Sequence, residues 1–133
     1  MLNSLEIVPK QMERIALLPE NLFKDIYVAF IPGDSINNII KTCKFILNCG
    51  YTPIPHVPAR NILDKNHLDQ YLNALSEVGV SKILAIGGSG ASPEGVFEAT
   101  YDLFKTDVFN QYNFEQINIA GHPEGNPNDP DSN

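Results

Sequence analysis

The sequence predicts an α/β protein whose core is a parallel sheet of five βα units. Short runs rich in β-branched and aromatic residues alternate with longer stretches of helical periodicity, the pattern of strands joined by helical crossovers. The joints between them carry caps, glycines and prolines, which mark where each element starts and stops. With 133 residues, 43% of them hydrophobic, the chain can bury a core of ordinary single-domain size. There are no internal repeats or linkers, so residues 1–133 read as one continuous domain.

Strands are expected at residues 5–8, 26–31, 52–57, 82–86 and 116–120. After the first strand, a short helical segment over 11–18 is broken by Pro19. Between the second and third strands, "SINNIIKTCKFILNCG" places Ile36, Ile39, Ile40, Cys43, Ile46 and Leu47 on one helical face. Ser35 is its N-cap, and Gly50 lies just past its end. "NHLDQYLNALSEVG" repeats the pattern with Leu68, Tyr71, Leu72, Leu75 and Val78, and Gly79 supplies a left-handed terminus. A third helix is expected to open at Ser92-Pro93-Glu94, where Ser caps, Pro fits the first turn and Glu complements the dipole. The closing "NPNDPDSN" reads as a loop or frayed tail.

The net charge of −7 argues against a nucleic-acid partner, because nine scattered Lys and Arg form no patch to neutralise phosphates. No apolar run approaches the span of a bilayer and the N-terminus has no signal-peptide pattern, so no membrane partner and a cytoplasmic location are expected. Cys43 and Cys49 fall on different faces of one helix and read as reduced thiols. No His/Cys/Asp/Glu set has metal spacing, and Gly88-Ser89-Gly90 is not a nucleophile elbow.

In parallel sheets ligands bind at the carboxyl ends of strands, so the residues there are the candidates. Glu6 alternates with Leu5 and Ile7; either it faces water, or burial raises its pKa and it serves as an acid. His56 lies between prolines near the end of the third strand, either a hydrogen-bonded core residue or a ligand contact. The Gly-rich turn at 87–90 offers backbone N–H groups to an anion, although it lacks the third Gly of G-x-G-x-x-G and the Lys-Ser/Thr of a Walker A loop.

With the strand ends in order, the chain resembles the N-terminal part of the methylenetetrahydrofolate reductase family, from about Leu5 to the last residue. "LEIVPK" is similar to the family's first-strand F-E-F-F-P-P, "PHVPAR" to its P-H-L-T-C, "ILAIGGS" to its A-L-R-G-D and "GHPEGNP" to its Y-P-E-x-H-P. The resemblance implies the first five βα units of a TIM (β/α)8 barrel and a flavoenzyme of one-carbon metabolism. Such an enzyme reduces 5,10-methylenetetrahydrofolate to 5-methyltetrahydrofolate with FAD and NADH or NADPH. It gives Glu6 the role of general acid near the folate, and places His56, Gly87, Gly88, Ser89, His122, Glu124 and Asn126 at the cofactor.

Departures from the family pattern fall at the flavin. Its arginine and aspartate of R-G-D correspond to Gly87 and Ser89, its tyrosine and second histidine to His122 and Asn126, and its Tyr-Ala pair to Ala99-Thr100. A flavin-independent folate-binding relative is one alternative. A non-catalytic flavodoxin-like module binding a phosphorylated ligand or partner at the 87–90 turn is another. A complete barrel needs about 250 residues, so the chain reads as a fragment truncated after its fifth strand, inactive alone and held as a homo-oligomer by uncovered edges.

Overall fold

The computed structural model describes residues 3–19, 23–88 and 92–120. Five parallel strands form one sheet: β1 (Asn3–Ile7), β2 (Phe23–Val28), β3 (Thr52–Pro58), β4 (Lys82–Ile86) and β5 (Gln116–Ile119). They lie side by side in chain order, so the sheet has no reversal point. The flavodoxin-like order 2-1-3-4-5 requires one, so that arrangement is not the one adopted.

Two of the expected helices form as read. In α1 (Ile36–Asn48) the Ser35 Oγ accepts the N–H of Asn38 at 3.2 Å, and Gly50 follows with φ +89°. In α2 (Lys65–Val78) the Asp64 carboxylate accepts the N–H of His67 at 2.8 Å, and Gly79 closes the helix with φ +101°. Both end where an L side chain meets steric cost and glycine does not. Cys49 caps α1 from outside it, and both cysteines are free. Burial pushes the Cys43 thiol up to about 12, which keeps it an inert core group.

Registered partners in a sheet share a face. Leu5 and Ile7 pair with Ile26 and Val28, and Val57 pairs with Ala85, which together with Ile83 forms the face beneath α1 and α2. Ile39, Cys43, Ile46, Leu68, Tyr71, Leu72 and Leu75 complete that core from the helices. The opposite face carries Glu6, Tyr27 and Ile54 in one row and His56, Leu84 and Asn118 in another.

Pro53, Pro55 and Pro58 remove three donors from a central strand, a position prolines normally avoid. β3 accommodates them by pairing with β2 over residues 52–55 and with β4 over 56–58.

Three expectations are corrected. The segment before Pro19 is a 3-10 helix, Pro9–Leu17, entered through the Gln11 side chain, which accepts the N–H of Val8 at 3.1 Å. The second strand ends at Val28 instead of 31, and Phe30 turns to meet the Tyr71 ring edge-on at 5.6 Å.

The third helix does not open at Ser92. Residues 92–99 form a strap across the exit of β3, and the helix, α3, spans only Thr100–Phe104. The strap's donors are taken by neighbouring backbone: Glu94 N–H by the Arg60 carbonyl at 2.7 Å and Val96 N–H by the Leu63 carbonyl at 2.9 Å. The helix start signal lies at Asp102, whose carboxylate accepts the N–H groups of Glu98 and Ala99 at 3.0 and 3.2 Å. Partial burial pulls that carboxyl up, but these two donors and Lys105 outweigh it and hold it below its ordinary range.

Candidate functional site

Glu6 and His56 come from strands separated by β2, and His56 sits two positions beyond Ile54, the residue in Glu6's own row. Their side chains nevertheless approach, with Glu6 Oε1 3.4 Å from His56 Nε2. That distance suits an ion pair once the imidazole is protonated but exceeds the usual hydrogen-bond range, and Nε2 makes no hydrogen bond among the described residues. The Glu6 side chain is 63% exposed, so of its two sequence readings the water-facing one holds.

His56 is 8% exposed. Burial draws its pKa below the ordinary histidine value, and the nearby Glu6 carboxylate opposes that pull without reversing it. The ring is therefore neutral near neutral pH, with one nitrogen a donor and the other an acceptor.

Its backbone is fixed from the helix side: the Tyr71 hydroxyl, on α2, donates to the His56 carbonyl at 2.7 Å. Full burial drives the Tyr71 pKa well above its ordinary value, so the hydroxyl keeps the proton this bond requires.

Beyond His56, β3 runs into a 3-10 turn, Ala59–Asn61, whose polar residues are buried. Arg60 N–H donates to the Gly87 carbonyl at 2.8 Å, and Arg60 Nη1 donates to the Glu98 carbonyl at 3.1 Å. Asn61 Nδ2 donates to the Glu94 carboxylate. Gly88 has φ +93°, and a Cβ there would lie 2.9 Å from Asn61 Oδ1 and 3.2 Å from Pro58 Cβ. Glycine is required on both counts, by dihedral and by space.

Two buried polar atoms at this end of β3, His56 Nε2 and Asn61 Oδ1, have no hydrogen-bond partner among the described residues. Such groups carry a free-energy cost that a bound ligand or water relieves.

The structure thus brings together Glu6 with His56 and Gly87 and Gly88 with the turn after β3. Ser89, His122, Glu124 and Asn126 lie outside the described residues. The roles of Arg60, Asn61 and Tyr71 went unread in the sequence. For the first two the signal was present, since "ARN" interrupts the apolar run "IPHVPARNIL", and a polar interruption there either faces water or demands partners. For Tyr71 nothing local distinguishes a core tyrosine from one that holds a strand.

Among the described residues, no group of three or more His, Cys, Asp or Glu is placed to hold a metal ion, and no helix is long and apolar enough to cross a membrane. No protein-family model matches the sequence.

Proposed function

We propose that this chain carries the substrate-binding face of a (β/α)8-barrel reductase of one-carbon metabolism, acting on 5,10-methylenetetrahydrofolate with a flavin and NADH or NADPH. The observation that carries the reading is the approach of Glu6 to His56 at 3.4 Å. These are the residues that the resemblance assigns to proton donation and to the cofactor, and they stand on different strands far apart in sequence.

The barrel part draws support from the unreversed strand order. It also draws support from the offset of the pair. An eight-stranded barrel of shear 8 shifts register by about one residue per strand. Two strands from Glu6, the residue at the same height along the barrel axis is then two positions from its row partner Ile54, which is where His56 lies.

Glu6 is open to solvent, so a folate can reach it, and desolvation by the bound folate would favour the protonated carboxyl that delivers its proton to N10. That proton is needed because the amine leaves the ring poorly without it. His56 fits a flavin contact in that its buried Nε2 lacks a hydrogen-bond partner among the described residues. Gly87 and Gly88 bring bare backbone to the same end of the sheet. A flavin held there supplies hydride transfer between the nicotinamide and the folate. The β5 residues Ile117 and Ile119, exposed beside a buried ladder, support self-association.

Calorimetric titration with FAD and with 5-methyltetrahydrofolate tests the reading directly. In the protein carrying all eight βα units that the reading requires, uptake of both is expected, as is a yellow complex that NADH or NADPH bleaches and 5,10-methylenetetrahydrofolate restores. In Glu6→Gln the folate-dependent step should slow by about 10²–10⁴-fold while bleaching persists. Folate uptake without FAD leaves the flavin-independent version, and uptake of neither overturns both.

A further inference from the structure

We propose that the cleft between α1, α2 and the 92–99 strap is a second ligand site, one that takes a neutral polyhydroxylated ligand: a sugar ring or the ribose of a nucleoside. The cleft encloses about 500 Å³ at the carboxyl ends of β2 and β3, and neither Glu6 nor His56 lines it. Its volume is in the range of small-molecule sites.

Four of the polar groups in its lining are fixed by the protein at one point and open at another. Asp34 Oδ2 accepts the N–H of Ile31 at 3.0 Å, which leaves Oδ1. Glu94 Oε2 accepts from Asn61, which leaves Oε1. Ser35 Oγ accepts from Asn38, so its own hydrogen is available to a ligand. His67 Nδ1 accepts the N–H of Leu63 at 2.9 Å, which puts the proton of the neutral ring on Nε2 as a donor. Gln70 adds an amide that can both donate and accept.

Asn61 ties the cleft to the strand ends. It is 5% exposed and lines the cleft, with its Oδ1 turned toward Gly88 at the end of β4.

The mix of groups selects the ligand class. No Lys or Arg lines the cleft and two carboxylates do, so an anion is repelled. A cation would use the carboxylates but leave the His67, Ser35 and Gln70 donors unmatched. A ring with adjacent hydroxyls uses both sets, since each hydroxyl donates and accepts. Phe30, Ile36 and Leu63 offer an apolar wall for its C–H face.

The test is calorimetry on the chain with D-glucose, D-ribose, adenosine, putrescine and inorganic phosphate as probes. Saturable binding of at least one of the first three is expected, with a Kd of roughly millimolar for a free sugar. Tighter binding of adenosine than of ribose identifies the nucleoside, and the reverse a free sugar. Asp34→Asn should weaken that binding about ten-fold, the loss on replacing a charge-assisted hydrogen bond by a neutral one. Circular dichroism should show the Asp34→Asn fold unchanged. Glu6→Gln should leave the binding as it is, so this proposal stands or falls apart from the reductase reading. No saturable heat from the three polyols, putrescine binding more tightly than any of them, or binding indifferent to Asp34→Asn would each overturn it.

Discussion

β4 and β5 are neighbours in register, yet their helix-side residues have opposite fates. Ile83 pairs with Ile117 and Ala85 with Ile119. Ile83 and Ala85 are 0% exposed, whereas Ile117 is 36% and Ile119 62% exposed. All four are apolar residues of alternating strands on the same face of one sheet. What separates them is cover: α1 and α2 close over the first four strands, while beside β5 lies a hollow of about 440 Å³ lined by Thr100, Tyr101, Phe104 and Ile119. An apolar side chain stabilises a fold through the area its neighbours remove from water, so the same residue type contributes unequally one strand apart.

Matched truncations give the largest expected contrast. Ile83→Ala should cost about 3 kcal/mol in chemical denaturation, and Ile119→Ala less than about 0.5 kcal/mol. Equal losses would mean that β5 is covered in solution.

Next in size is Gly95→Ala, which attacks the covered half through the strap. A Cβ on Gly95 would lie 2.0 Å from the Leu63 carbonyl oxygen and 2.3 Å from its Cα. Backbone cannot yield as a side-chain tip does, so a loss of about 2 kcal/mol or more is expected, read as a fall in denaturation midpoint. Wild-type stability would show that the strap does not sit against Leu63.

Tyr71→Phe removes the hydroxyl that holds the His56 carbonyl and should cost about 1 kcal/mol. It should also speed amide exchange along β3 more than along β1, which separates a local grip on that strand from a general loosening.

The smallest effect is a pH dependence confined to the covered half. Because the folded-state pKa of His56 lies below its ordinary value of 6.5, the unfolded chain binds the proton more readily. Stability from this group is fully present above that value and is lost as pH falls toward the lower folded-state pKa. In His56→Gln the fall on acidification should flatten between neutral pH and that lower value; an unchanged slope would place its origin in other groups.

The strands and the two long helices were legible because each is written locally. Apolar period, Ser35, Gly50 and Gly79 all act within a few residues of the structure they specify. The third helix was misread for a related reason. "SPE" is a sound start signal in isolation, but the strap's N–H groups find better partners on residues 60 and 63, roughly thirty positions away in sequence.

Glu6 and His56 were identifiable one at a time as unusual residues in strands. Their approach was not, because it depends on how strands two apart are offset. Asn61, Glu94 and Asp34 drew no notice as a group, since they belong to three separate loops.

By itself the sequence determined the class of fold and the ends of its two long helices, since propensity, capping and alternation act over short range. It left the side-by-side order of the strands to the tertiary structure. Only the tertiary structure decided which apolar faces are covered, which buried polar atoms find partners, and that Glu6 meets His56. Those outcomes depend on the register and packing of segments distant along the chain, and no local signal carries that information.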